Sequence, residues 1–391
     1  MKEVRKLQIL VFIDWFLPGT ASGGPVRSYA NMMEHMKEEV DFFVVTRNHD
    51  YCDNRPYQNI LKNQWNNLFA NVKVMYVEEK EISSKTFRKV LDFEKFDAIY
   101  INGVYSWKFS ILPILALRSF KLPLIISARG MLNPQAFSVK GLKKKIYIKL
   151  SRLLGLYKDV YFHATNEDEK SNIYEHFGKS ERIKVAPNFP RKIEYFERSG
   201  PKLIGVLNLI NVARISKEKG TLVILKILSK VSEGKVSLDI YGPIYDHRYW
   251  DLCKEAIASL PHNIVVNYKG ILNSEKVPKK MSEYDAFIMP SYGENFGHSI
   301  LEAMSVGLPV IISNLTPWNS LNEKNVGWDI GIENLEGFVK SINQLLFIDD
   351  TAYKEKSLAA RQYAAQFINN PSTLQANKKM FEEVINDFAS H

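Results

Sequence analysis

The stretch Pro290-Ser291-Tyr292-Gly293-Glu294-Asn295-Phe296-Gly297-His298-Ser299-Ile300-Leu301-Glu302-Ala303-Met304-Ser305-Val306-Gly307-Leu308-Pro309-Val310 decides how this chain is read. It follows the apolar run Ala286 to Met289 and leads into Val310 to Ile312. A strand therefore ends at Pro290, a glycine-containing loop turns, a helix runs to about Ser305, and the next strand starts at Val310. Glu294 falls in the loop and Glu302 in the helix. If Gly297 opens that helix, Glu302 lies a turn or more inside it and reaches down beside whatever the loop holds. A carboxylate aimed into a ligand site accepts two hydrogen bonds from a vicinal diol, as sugars and ribose present, while the helix start offers backbone N–H groups to an anion. Read as structure alone, Glu302 is a surface residue and Glu294 a loop charge.

Upstream, the same alternation of short apolar runs and helical patterns repeats through Leu207 to Val212, Ser237 to Tyr241 and Ile264 to Tyr268. It is the sign of parallel sheets wrapped by helices. After the first of these runs, Ala213-Arg214-Ile215-Ser216-Lys217-Glu218-Lys219-Gly220 leads into a helix predicted over Thr221 to Lys230. Arg214 and Lys219, at the strand's carboxyl end, could hold a diphosphate between a fork-shaped donor and a point charge. The bland alternative is two solvated loop charges.

An earlier series has the same character: Gln8 to Ile13, Asp41 to Thr46, Val72 to Val77, Ala98 to Ile101, Leu124 to Ser127 and Val160 to Ala164. Directly after its first strand comes Pro18-Gly19-Thr20-Ala21-Ser22-Gly23-Gly24-Pro25, ahead of the helical Val26 to Met36. Gly23 and Gly24 let backbone approach a phosphate closely, although the loop lacks the spacing of dinucleotide binders and serves equally as a structural turn. The polar, Gly- and Pro-containing stretch Arg191 to Pro201 has linker composition. These observations predict an α/β chain of two doubly wound Rossmann-like domains facing a central cleft. The first domain takes 1–190, a linker 191–201, the second domain 202–368, and a last segment 369–391. The helical pattern from Ser357 to Ile385 breaks at Asn370-Pro371.

The 391 residues are long enough for two such domains, and 46% hydrophobic with 24% charged residues is an ordinary globular composition. Two cysteines, Cys52 and Cys253, make neither a disulfide framework nor a cysteine-based zinc site, which fits a reducing cytosol. The N-terminus resembles a signal peptide superficially, but Gln8 and Asp14 interrupt its apolar run and a buried strand explains the same letters. Phe109 to Ser127 contains Arg118, Lys121 and two prolines, so no transmembrane anchor is expected.

The formal net charge of +9 suits anionic partners. Between Val139 and Lys158 stand Lys140, Lys143, Lys144, Lys145, Lys149, Arg152 and Lys158 without an acid, interleaved with Ile146, Tyr147, Ile148, Leu150, Leu153 and Leu154. This is a basic amphipathic helix, read equally as lying on an anionic membrane surface or as turning its apolar stripe to the core. The same helix accounts for most of the charge excess, which leaves no nucleic-acid groove to expect.

Taken together, Ala213-Arg214-x4-Lys219-Gly220, Pro290-Ser291-x2-Glu294-x2-Gly297-x4-Glu302-Ala303 and Gly307-x-Pro309-Val310 resemble the nucleotide-sugar site of glycosyltransferase family 4, retaining enzymes of the GT-B fold. The resemblance implies that Arg214 and Lys219 neutralise the donor diphosphate, that Glu302 binds the nucleotide ribose and that Glu294 contacts the donor sugar near the reacting centre. Asn295, Phe296 and Gly297 would lend backbone amides, and Gly23-Gly24 is similar to the family's glycine loop beside the diphosphate. The resemblance further implies that 1–190 is an N-terminal acceptor-binding domain, that 202–368 is a C-terminal nucleotide-sugar-binding domain, and that the helix in 369–391 packs back on the N-terminal domain. Ser127-Ala128-Arg129-Gly130-Met131-Leu132-x-Pro134, His163-Ala164-Thr165-x-Glu167 and Thr316-Pro317-Trp318 are similar to a bacterial subgroup associated with surface polysaccharide (O-antigen, capsule or lipopolysaccharide) assembly. Many members carry a histidine where this chain has Arg129, an acceptor-side residue that could instead touch a phosphate. His163 and His298 receive no catalytic role.

The expected activity is metal-independent, retaining transfer of a hexose-type sugar from a nucleoside diphosphate to a lipid-linked or polysaccharide acceptor. No cofactor is expected, and no Asp-x-Asp metal motif stands out. The place of action would be the cytoplasm, at the inner face of the plasma membrane. A nucleotide-sugar epimerase of the same fold and a non-catalytic sugar or nucleotide binder are the competing classes.

Overall fold

A computed structural model describes residues 5–51, 53–134, 137, 141–192, 196, 198 and 200–390. Cys52, Val139, Lys140 and part of the 191–201 stretch lie outside them. The chain divides into two compact units, one of Met1–Phe189 with Asn370–His391, the other of Pro190–Asn369.

The first unit runs β1 (Leu7–Phe12), α1 (Gly24–His35), β2 (Val40–Arg47), β3 (Trp65–Phe69), β4 (Val72–Val77), α2 (Ser84–Val90), β5 (Ala98–Asn102), α3 (Leu112–Leu117), β6 (Leu124–Ser127), α4 (Gly141–Leu153), β7 (Tyr161–Ala164), α5 (Glu167–Phe177) and β8 (Ile183–Val185). Its eight-stranded sheet has the order β3-β4-β2-β1-β5-β6-β7-β8. Every pairing is parallel except β3 with β4. The central strands β5, β6 and β7 are buried along their whole length, which is why they read as unbroken apolar runs.

The second unit runs β9 (Val206–Val212), α6 (Thr221–Leu228), β10 (Lys235–Tyr241), α7 (His247–Ala258), β11 (Ile264–Tyr268), α8 (Val277–Met281), β12 (Ala286–Met289), α9 (His298–Ser305), β13 (Val310–Ser313), β14 (Gly327–Ile330), α10 (Leu335–Phe347) and α11 (Asp350–Ile368). Its six strands are all parallel, in the order β11-β10-β9-β12-β13-β14. A last helix, α12 (Pro371–Ala389), begins where the sequence breaks: Asn370 caps it through the Ser372 N–H, and Pro371 occupies the first turn, where no amide partner is needed. Met380, Phe381 and Val384 of α12 are buried in the core that β1, β2 and β4 share with α1.

Three strands escape a reading of apolar runs. β3, β8 and β14 are each at or next to a sheet edge and short, and Asn66, Asn67 and Asp329 interrupt them. Helix α11 starts at Asp350, capped by Asp349, seven residues ahead of the predicted Ser357, because its first turns are polar and carry no apolar stripe.

In each sheet the strand order reverses beside the strand that comes first in that unit, between β1 and β5 and between β9 and β12. Open parallel sheets take ligands at the carboxyl ends of strands at such a switch point. The segments Ala213–Gly220 and Pro290–Gly297 leave the two strands flanking the second of these points.

Candidate functional site

Beyond β9 the chain is tied closely to its neighbours. A Cβ at Gly242 would lie 1.9 Å from the Ala213 carbonyl oxygen, so the exits of β9 and β10 touch backbone to backbone. Arg214 is half-buried, with its guanidinium 4.8 Å from the centre of the Tyr245 ring, an arrangement that orients a planar cation without consuming its charge. Lys219 ends a single helical turn, and Gly220 then adopts φ 72°, where a Cβ would sit 2.1 Å from the Pro290 carbonyl oxygen. Only glycine fits there, which brings the Lys219 turn against the loop after β12. The Tyr292 N–H and the Ser291 hydroxyl both donate to the Glu218 carbonyl, at 2.8 and 3.0 Å.

As a result the Lys219 ammonium bonds the Glu294 carboxylate directly, and both side chains are largely shielded from solvent. Burial works against the neighbouring Glu218 carboxylate. Hydrogen bonds from Ser216 and its own backbone amide, with the charges of Arg214 and Lys219, nevertheless hold it below the usual carboxylate range.

Glu302 is only 2% exposed, so it is no surface residue. Its Oε1 lies 3.7 Å from Nη1 of Arg191, which also donates to the Ser274 carbonyl. Arg191 is therefore the ion-pair partner of a candidate site residue, hidden from the sequence inside a stretch of linker composition because Glu302 stands on a distant helix.

The loop between Glu294 and Glu302 is braced from β13. The Trp318 indole N–H donates to the Phe296 carbonyl at 2.7 Å, the Glu294 N–H to the Leu315 carbonyl at 3.3 Å, and the Ser313 hydroxyl bonds the Ser291 carbonyl. Thr316 Oγ1 accepts the Trp318 N–H at 3.3 Å, so Thr316-Pro317-Trp318 is the brace itself. Gly297, at φ 76°, caps α9 with no side chain of its own to accept a first-turn amide, and the His298 ring packs on Phe296 at 4.7 Å.

In the first unit, Gly23 has φ 79° and caps α1, again without a side chain of its own; a Cβ at Gly23 or Gly24 would meet nothing within 4 Å. The loop ahead of them is held by Asp50, whose Oδ2 accepts the Thr20 and Ala21 N–H groups at 2.9 and 3.2 Å. Arg129 is half-buried at φ 49°, bonded to Asn188, to the Tyr100 hydroxyl at 3.0 Å, and lying 5.0 Å from the Tyr29 ring centre. His163 is buried, with Nδ1 on the Tyr100 hydroxyl and Nε2 on the Ala186 carbonyl, and burial next to Arg129 pushes its pKa down to about 3. It is a neutral structural group. Asp14, unmarked by any motif, lies just beyond β1 and is bonded to Arg47 at 3.1 Å and Ser106 at 2.9 Å; burial raises its pKa above the usual carboxylate range in spite of both partners.

Residues 205–367 match the family model described as "Glycosyl transferases group 1". Among curated proteins, the sulfoquinovosyl transferase SQD2 of Arabidopsis thaliana is 30% identical over 103 residues, 26% of this chain and 18% of that protein. The chain thus spans less than a fifth of that relative's length. The UDP-Gal:alpha-D-GlcNAc-diphosphoundecaprenol alpha-1,3-galactosyltransferase of Escherichia coli is 23% identical over 281 residues, 65% of this chain and 67% of that one. Among solved structures, Anabaena HepE in complex with UDP-glucose superposes with a TM-score of 0.67 at 16% identity, covering 97% of this chain and 99% of its own. Two parallel α/β sheets with this likeness make the fold GT-B. Arg214, Lys219, Glu294 and Glu302 all fall within 205–367, the part of the chain that is similar to the group 1 glycosyltransferases.

Proposed function

We propose that the protein is a metal-independent, retaining glycosyltransferase that moves a hexose-type sugar from a nucleoside diphosphate to a lipid-linked or polysaccharide acceptor in bacterial surface-polysaccharide assembly. It would act at the cytoplasmic face of the membrane. The observation that carries this reading is the convergence of Arg214, Lys219 and Glu294 at the carboxyl ends of the two strands flanking the second switch point. A binder of neutral sugars has little use for two cations beside a carboxylate at such a place.

The chemistry follows from the charges. Breaking the bond between sugar C1 and the diphosphate builds positive charge on the sugar and negative charge on the leaving oxygen. Arg214 and Lys219 stabilise that negative charge as it develops, assisted by the amides at the start of α9. In the free protein Glu294 occupies Lys219. A diphosphate entering there takes over the ammonium and releases the carboxylate to sugar hydroxyls, while Glu302, fixed by Arg191, receives the ribose. The acceptor hydroxyl attacks C1 from the face the diphosphate leaves, and its proton passes to the departing phosphate oxygen, so configuration is kept. The nucleotide sugar bound by HepE and the lipid diphosphate named in the E. coli relative's acceptor support the choice of donor and acceptor classes.

Thermal-shift measurement against a panel of nucleotide sugars tests the donor side. A donor at about a hundred times its Kd adds about 2.7 kcal/mol of stability. The Arg214→Ala, Lys219→Met double variant is expected to lose that gain for every donor; an undiminished shift would refute the reading. Turnover of donor without acceptor would mark an epimerase instead.

A further inference from the structure

Helix α4 has two apolar sides, and only one of them is used by the fold. Tyr147, Ile148 and Ser151 face inward: Ile148 and Ser151 are buried, and the Tyr147 hydroxyl donates to the Val104 carbonyl at 2.7 Å. The Tyr157 hydroxyl reaches the same carbonyl at 2.8 Å. Leu142, Ile146, Leu150 and Leu153 point away, with exposures of 74%, 50%, 51% and 82%. At 3.6 residues per turn these four fall within an arc of about 80°. Lys145, Lys149 and Arg152 follow one edge of the stripe and Lys143 the other, all exposed, and no acidic side chain occurs between Gly141 and Lys158.

From this geometry we infer that α4 is a docking surface for an anionic lipid leaflet, with the four aliphatic side chains entering the acyl boundary and the flanking cations meeting headgroup phosphates. The charge pattern selects the occupant: cations on both flanks of an exposed apolar stripe match a plane of negative headgroups over a hydrocarbon layer. A second copy of this chain would instead bring cations against cations. Val104, which α4 grips, lies two residues beyond β5, in the loop that also contains Ser106, the partner of Asp14. Trp107, in the turn that follows, is 60% exposed, a residue type suited to the headgroup layer. The docked helix thus sets the carboxyl edge of the first sheet next to the bilayer. This deepens the proposed function and rests on it only for the nature of the acceptor.

The test is co-sedimentation of the full-length protein, without donor, with vesicles of phosphatidylcholine alone or with roughly one third phosphatidylglycerol. Binding is expected only to the anionic vesicles. It should fall about tenfold or more in Leu142→Ser, Ile146→Ser, Leu150→Ser, and by about fivefold for each cation removed in Lys145→Gln, Lys149→Gln, Arg152→Gln. Because the altered residues are exposed, melting temperature and donor thermal shift should stay as in the parent. A fluorophore at Leu153→Cys should shift to the blue on anionic vesicles even if the triple variant folds poorly. Equal binding by parent and both variants would overturn the proposal, as would no binding to either vesicle. So would a parent dimer in analytical ultracentrifugation that the serines dissolve while vesicle binding stays unchanged. Failure of donor binding with vesicle binding intact would sink the transferase reading and leave this one standing.

Discussion

Gly23 and Gly24 look interchangeable in the sequence and are not in the fold. Gly23 has φ 79° with ψ −128°, a region closed to residues with a Cβ, whereas Gly24 has an ordinary backbone and open space where a Cβ would go. Gly23→Ala is expected to cost about 1–3 kcal/mol of stability in urea unfolding. Gly24→Ala should cost nothing, or add up to about 1 kcal/mol. If a donor phosphate lies against this loop, the Gly24 variant will bind donor more weakly while melting normally, and equal affinity would place the phosphate elsewhere. His163 gives a second residue-scale outcome. Its folded pKa, about 3, lies under the ordinary value of 6.5, so the unfolded chain binds the extra proton. Stability from this group is whole above pH 6.5 and is lost as the pH falls toward 3, by at most about 1.4 kcal/mol per pH unit. Urea unfolding of the parent between pH 7 and pH 4, as approximate limits, should be steeper in pH than that of His163→Gln. Parallel slopes would remove His163 from the acid sensitivity of the fold.

Elements that lie inside a sheet were legible from their letters, and elements at its margins were not. β5, β6, β12 and β13 are covered on both faces, so burial demands an apolar residue at every position and the run announces itself. β3 and β14 lack a neighbour on one side and tolerate Asn and Asp, which leaves no run to see. The motif residues Arg214, Lys219, Glu294 and Glu302 could be placed at strand ends and on a helix because each follows a legible strand. Arg191 and Asp14 could not, since their meaning lies in partners that only folding supplies. For α4 the letters left the direction of the stripe open, and the fold splits it: Tyr147 and Ile148 turn inward while Leu142, Ile146, Leu150 and Leu153 stay exposed. Helix α12 offers a stability prediction of its own: Phe381 is fully buried and its ring meets that of Tyr100 edge-on at 5.6 Å. Phe381→Ala should cost about 3–5 kcal/mol. A loss under about 1 kcal/mol in chemical denaturation would mean that α12 is dispensable to that core.

At the scale of the molecule, two units with separate cores make a single all-or-none transition an unsafe assumption. Calorimetry is expected to separate two transitions, with Phe381→Ala lowering one and a nucleoside diphosphate raising the other. Coincident shifts of both would show that the units unfold as one body. The chain leaves the first unit after Phe189 and returns to it at Asn370. Its two extremities therefore share an address. A single backbone cut at either crossing would leave the second unit tethered through the other. Tags or dyes placed at both termini would track one and the same half of the protein, so any report on the opposite half requires a label within the chain.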